Sequence, residues 1–196
     1  ENEDELLLLS SMEGLPLQSN YIGPDTPMSR GDFAKSIVKS MDIPIEKREE
    51  TRRSRRKQPE APPLFKDVNK NHPNFEYIEE VGNRGIMVGV DKFNFKPNEP
   101  LTRAEAYTII IRLLGFENLS PMNKNYTTGY KDNNTIPAWA KDYIYIAKEL
   151  GMADRGEYFY PNRQITKGES AKLIIDFINY LQKDLKNDYR ENVLNN

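Results

Sequence analysis

The sequence predicts a mainly α-helical protein built from three copies of one helix–loop–helix unit. Two observations predict it. A short pattern occurs three times, as Ser29-Arg30-Gly31-Asp32, Thr102-Arg103-Ala104-Glu105 and Thr166-Lys167-Gly168-Glu169. After each Ser/Thr, apolar residues fall five, eight, nine and twelve places on. They are Ala34, Ile37, Val38 and Met41, then Tyr107, Ile110, Ile111 and Leu114, then Ala171, Ile174, Ile175 and Ile178. That spacing is one face of an α-helix.

The Ser/Thr followed three residues later by Asp/Glu is a capping box, in which hydroxyl and carboxylate both take backbone N–H groups of the first turn. Ser29, Thr102 and Thr166 are therefore expected as N-caps, with Asp32, Glu105 and Glu169 as their reciprocal partners. The residue after each cap is basic: Arg30, Arg103 and Lys167. A cation at the positive end of a helix dipole is unfavourable by a few tenths to about 1 kcal/mol. One such residue has an ordinary explanation in a surface ion pair. Three in register point to something negative facing them, since a helix N-terminus with an Arg or Lys is a receptor for carboxylate or phosphate.

In chain order, residues 4–13 read as a helix ended by Gly14, followed by a loop with Pro16, Asn20, Gly23 and Pro24. The same parts recur. Tyr77, Ile78 and Val81 precede Gly85, a loop with Gly89, Phe93, Phe95 and Pro97, and the Thr102 helix. Tyr143, Ile144 and Ala147 precede Gly151, a loop with Gly156, Phe159 and Pro161, and the Thr166 helix. Phe65-Lys66-Asp67 and Tyr130-Lys131-Asp132 open the two complete copies. Such a unit cannot bury its apolar face alone, so the three must pack together.

The expected division is a partial first repeat at 1–45, a basic, Pro-rich insertion at 46–63, repeats at 64–119 and 120–183, and a polar tail at 184–196. The insertion holds Arg52, Arg53, Arg55, Arg56 and Lys57 beside Glu46, Glu49 and Glu50, and lacks aromatics for base stacking. It reads as a solvated linker rather than a nucleic-acid contact.

Composition narrows the function. Charged residues make up 30% of the 196 residues but the net charge is −2, so bulk electrostatics do not point to nucleic acid. Cysteine is absent, which fits an exported bacterial protein and leaves no thiolate metal site. No apolar run, Leu6 to Leu9 included, is long enough to span a membrane. The acidic, helix-like opening is expected of a mature or trimmed piece. His72 is the only histidine and has no partner ligand at a helical or hairpin spacing, so no metal or cofactor is expected. Asp32, Glu105 and Glu169 are spread over three copies and do not form the paired carboxylates of glycoside hydrolysis. No enzyme is expected.

At these residues the sequence resembles the S-layer homology family. Phe65-Lys66-Asp67-Val68, Tyr77-Ile78, Gly85-Ile86-Met87-Val88-Gly89, Phe95-Lys96-Pro97 and Leu101 to Glu105 carry the resemblance in the second copy. Trp139, Gly151-Met152, Phe159-Tyr160-Pro161 and Ile165 to Glu169 carry it in the third, with Phe75 taken as the second copy's counterpart of Trp139. The first copy keeps Gly14-Leu15 and Met28-Ser29-Arg30.

The resemblance implies three repeats in a pseudo-threefold, three-pronged arrangement around a central helical bundle. It implies an extracellular place at the bacterial cell wall or S-layer, with no nucleic acid and no membrane insertion. It further implies an anionic secondary cell wall polysaccharide, carrying a pyruvate ketal, bound in grooves between repeats. Arg30, Arg103 and Lys167 would meet the carboxylate, and Gly89 and Trp139 would shape the groove.

Four expectations follow for single residues. The Arg103 groove should be the best formed. Removing one basic residue should weaken one site without unfolding the domain. Asp67 and Asp132 should cap their own turns, and Trp139, although in the family's groove set, should pack mainly in its repeat's core. The alternative reading is a module that keeps the fold but serves protein–protein or S-layer self-assembly contacts. The two readings differ in whether the cations line open grooves or are buried in ion pairs.

Overall fold

The computed structural model describes residues 23–45, 62–115 and 126–189. The expected helix at 4–13, Gly14-Leu15, Pro16, Asn20 and the basic run of the insertion lie outside the described residues. Within them the helices are α1 (Arg30–Ser40), α2 (Phe75–Asn83), α3 (Arg103–Leu113), α4 (Ala138–Glu149) and α5 (Lys167–Tyr189), with a 3-10 turn at Asn133–Thr135. Extended pairing among the described residues is confined to isolated bridges, Pro27 with Thr166, Ser29 with Pro100, and Thr102 with Gln164. The protein is mainly α, as the periodicity predicts.

All three helix starts form where the pattern places them. Thr102 and Glu105 make a complete capping box, as do Thr166 and Glu169. The first is half made. Ser29 Oγ accepts the Asp32 N–H at 3.1 Å, but the Asp32 carboxylate, one methylene shorter than Glu, instead accepts from Asn74 Nδ2 at 2.9 Å.

The helix ends are also local. At α2, the Gly85 N–H reaches Gly82 O and the Ile86 N–H reaches Val81 O, with Gly85 at φ +68. At α4, Gly151 and Met152 repeat those bonds to Lys148 and Ala147. Both are Schellman ends. Asp42, at φ +49, takes the same role after α1.

Burial follows the expected register in α1 and α3, where Ala34, Ile37, Val38, Tyr107, Ile110 and Ile111 are buried. In α5, Ala171 and Ile174 are buried as expected, with Leu173 and Phe177 beside them. Met41, Leu114 and Ile178, at the last expected position, are only partly covered in all three helices, and α5 differs at Ile175, partly covered where Val38 and Ile111 are buried. α5 lies against α3 and α1, which also pack on α4 and α2. The helix also runs to Tyr189, past the expected end of the third repeat at 183.

A closed ring of backbone hydrogen bonds joins the three copies. The Met28 N–H donates to Ile165 O (2.9 Å), the Ile165 N–H to Leu101 O (3.0 Å), and the Leu101 N–H to Met28 O (3.0 Å). All three side chains are fully buried. Each copy thus gives one bond and receives one, immediately before its own helix begins.

Candidate functional site

The ring carries each helix N-terminus onto the loop of another copy. In α1, the Arg30 and Gly31 N–H groups donate to Glu99 O and Pro97 O. In α3, Arg103 and Ala104 donate to Arg163 O and Pro161 O. In α5, Lys167 and Gly168 donate to Thr26 O and Pro24 O. The third N–H of each helix goes to the cap hydroxyl. A free helix end leaves its first four N–H groups without intrahelical partners. Here protein oxygens take three of the four at α1 and all four at α3 and α5, where Glu105 and Glu169 accept the N–H of the cap residue itself, which corrects the expectation that these N-termini stand open as anion receptors.

The signature arginines follow the same path. Arg30, 6% exposed, donates from Nε to Phe95 O (2.7 Å) and from Nη2 to Val88 O (2.7 Å), and its Nη1 lies 3.5 Å from Glu105. Arg103, 4% exposed, donates from Nε to Phe159 O (3.0 Å) and from Nη1 to Glu169 (2.7 Å), with Asp154 3.6 Å from Nη2. Each guanidinium also covers the ring of that loop's phenylalanine, Phe95 at 4.9 Å and Phe159 at 5.0 Å. The arginine of one copy therefore holds the loop and the capping acid of the next. Burial lowers the Arg30 pKa, while the charges of Glu105, Glu99 and Asp67 act against it.

The third junction is different. Lys167 is partly exposed and has no ion-pair partner among the described residues. Its counterpart acid, Asp32, is engaged by Asn74. Lysine lacks the planar fork that lets Arg30 and Arg103 serve two carbonyls or a carbonyl and a carboxylate at once.

Asp67 and Asp132 act at long range rather than on their own turns. Asp67 accepts the Phe95 and Lys96 N–H groups at 2.8 and 2.7 Å, and Asp132 accepts those of Phe159 and Tyr160 at 2.9 and 2.7 Å. Each carboxylate pins a left-handed residue, Lys96 at φ +58 and Tyr160 at φ +57. Gly89 is demanded by close approach, because a Cβ there would sit 2.4 Å from Asp91 O and 2.6 Å from Asn94 O.

Residues 64–106 and 129–171 match the S-layer homology domain family. The chain carries two S-layer homology domains. Over 124 residues it is 32% identical to an endoglucanase of Bacillus sp. (strain KSM-635), covering 62% of this chain and 12% of that protein. It is 29% identical over 126 residues to a cell surface protein of Thermoanaerobacter kivui (62% of this chain, 16% of the relative). It is 30% identical over 112 residues to a surface-layer 125 kDa protein of Lysinibacillus sphaericus (55% of this chain, 9% of the relative). The chain thus spans a small fraction of the curated relatives it matches, and the endoglucanase matches only at the S-layer homology region. Family and surface-layer relatives indicate a place at the bacterial cell surface or wall.

With the two domains aligned in sequence through their Gly85 and Gly151 ends, which are 66 residues apart, Trp139 corresponds to Pro73 and Phe75 to Lys141. Phe75 is therefore not the counterpart of Trp139. Nor does Trp139 pack in the core, being 54% exposed on the first turn of α4. Its neighbour Ala140 is the buried residue there.

Of the residues expected to meet a ligand, Trp139 and Lys167 reach solvent, whereas Arg30 and Arg103 are enclosed in the walls. Sequence reasoning passed over Arg163, a half-exposed cation hydrogen-bonded to Glu169. Its place three residues before a cap carries no periodic signal, and the second domain has Glu99 there. Asn74 was also passed over, although Gly31 and Asp32 in place of Ala and Glu were visible signs of a larger neighbour.

Proposed function

We propose that the chain anchors the protein carrying it to the bacterial cell wall by binding an anionic secondary wall polysaccharide, pyruvylated on its sugar, in grooves between adjacent repeats. The three copies then form a pseudo-threefold, three-pronged unit around the central helices. One observation carries the reading: every junction is built from two repeats, with the helix of one closed onto the loop of the next by backbone bonds and, twice, by a buried arginine. A glycan spanning such a junction meets surfaces that exist only when both repeats are in place. Binding is then coupled to an intact ring.

In this reading Trp139 offers a sugar face and Lys167 an accessible charge for the ketal carboxylate. Arg30, Arg103 and Gly89 set the shape of the walls. The test is co-sedimentation of the 196-residue chain with wall sacculi before and after acid extraction of the secondary polymer, with Trp139→Ala and Lys167→Ala as variants. The expected result is binding lost on extraction and weakened in each variant at unchanged melting temperature.

The burial of Arg30 and Arg103 in ion pairs favours a second reading, a module for S-layer self-assembly that retains the fold without the glycan. Equal sedimentation with extracted and intact walls, or none with either, would transfer the function to that reading.

A further inference from the structure

The three junctions share one backbone frame and differ in what side chains add to it. Arg30, Gly31 and Leu101 donate their N–H groups between the first and second repeats, and Arg103, Ala104 and Ile165 between the second and third. Lys167, Gly168 and Met28 do so between the third and the first. The first two junctions add a buried cation. Arg30 ties Val88 O, Phe95 O and Glu105 to α1, and Arg103 ties Phe159 O and Glu169 to α3. Continued around the ring, the pattern pairs Lys167 of the third repeat with Asp32 of the first. That pair is not made. Asp32 accepts from Asn74, and Lys167 has no ion-pair partner among the described residues.

We infer that the ring has a seam at this third junction, where residues 23–28 unzip from the start of α5 while the other two junctions stay closed. The segment moves as one piece. The Thr26 N–H and hydroxyl both donate to Gly23 O, at 3.0 and 2.6 Å, so its turn holds itself. Gly23, at φ +61, stands where the other repeats have Lys96 and Tyr160. Asp67 and Asp132 pin those two residues, whereas among the described residues no carboxylate accepts from Gly23. Pro24 is partly exposed where Pro97 and Pro161 are buried. Met28 is the pivot. Its N–H crosses the seam to Ile165 O, and its carbonyl accepts from Leu101 on the locked side.

The interior beside the seam favours opening. Ser170, two residues after Gly168, is fully buried, and its hydroxyl has no hydrogen-bond partner among the described residues. Phe33 and Ala106 hold that place in α1 and α3. A buried hydroxyl without a partner has given up its hydration for nothing, and water reaching an open seam restores it. The α1–α5 contact is also smaller than those of α1 with α2, α3 with α4 and α3 with α5. Local opening follows the part of a structure with the fewest contacts to lose.

The test is native-state hydrogen exchange by NMR on the full 196-residue chain, read as protection factors so that intrinsic rates cancel. Met28, Lys167 and Gly168 should be at least about tenfold less protected than the amides that cross the other two junctions. Lys167→Arg together with Asp32→Glu then supplies the missing lock on the pattern of Arg103 and Glu169. Relative to the other junctions, protection of Met28 and Gly168 should rise about tenfold in that double variant. Ser170→Ala, which removes the unpartnered hydroxyl, should raise it as well. Equal protection at all three junctions would overturn the inference, because the ring would then open only as a whole. Lowest protection at either arginine junction would overturn it too, as would no gain at Met28 and Gly168 in both variants. No ligand enters the measurement, so its outcome is independent of what the junctions bind.

Discussion

Asn74 Nδ2 lies 2.9 Å from Asp32 Oδ1, joining the start of α2 in the second repeat to the first turn of α1 in the first. The same neighbourhood explains Gly31, since a Cβ there would approach Asn74 Nδ2 to 3.2 Å and Pro97 O to 3.0 Å. At the next junction Ala104 stands for Gly31, Glu105 for Asp32 and, counted from the Gly ends, Ala140 for Asn74. The small residue moves from one side of the junction to the other. Replacing Gly31→Ala and Asn74→Ala should therefore couple favourably. Each alone is expected to cost about 1 kcal/mol, by crowding or by a lost hydrogen bond, and the pair less than the sum by about 0.5–1 kcal/mol in a double-mutant cycle read by urea unfolding.

Arg103→Ala should be the most damaging single change at a signature position. It removes a buried cation and leaves Phe159 O without its donor, although Glu169 keeps Arg163 and the Thr166 N–H. The expected loss is about 2–3 kcal/mol, below the full cost of orphaning a buried charge. Lys167→Ala should change stability by no more than about 0.5 kcal/mol. Urea midpoints of the two variants check the contrast. It also revises the sequence-based expectation that a signature cation is removable without cost to the fold.

Acid should loosen the junction between the second and third repeats. Burial alone would raise the Glu169 pKa, but the hydrogen bond from Arg163, the Thr166 N–H and the charge of Arg103 outweigh it and hold the carboxyl below its usual value. A depressed folded pKa contributes stability that is present above the unfolded value, about 4.3 for Glu, and is lost as pH falls through the folded value. Unfolding free energy measured from pH 6 to pH 2 should fall less steeply below about pH 4.3 in Glu169→Gln than in the parent chain.

Loss of the Thr102 hydroxyl in Thr102→Ala is expected to cost about 1 kcal/mol. The Glu105 N–H would lose its acceptor, but Glu105 would still reach the backbone of residue 102. Thermal denaturation of this variant beside Ser29→Ala compares a complete capping box with a half-made one.

At Lys96 the backbone sits at φ +58. Lys96→Gly removes the steric penalty of roughly 1 kcal/mol for a left-handed L-residue, offset in part by the greater freedom of glycine in the unfolded chain. Lys96→Val adds a β-branched side chain to the same conformation. The glycine variant should melt above the valine variant, and a reversal would show that Asp67 does not enforce this geometry.

Local features were legible without coordinates. The three helix starts, the Gly85 and Gly151 ends and most of the apolar face depend on residues three to five apart. Those relations are set by the geometry of one turn of helix and are written directly in residue order. The family resemblance rests on the same local marks.

What only the tertiary structure decided is which way the repeated charges face. Arg30 reads as solvent-facing because it follows a helix cap, yet its partners Val88, Phe95 and Glu105 lie 58 to 75 positions away in another repeat. Trp139 reads as core and is exposed, since Ala140 takes the buried place beside it. Asp67 serves Phe95 and Lys96 instead of its own turn. By itself the sequence determined where each helix begins and ends, because those signals act within a turn. The ring of Met28, Leu101 and Ile165 decided which polar groups remain available to a ligand, because closing it places each helix end against a loop from a different copy.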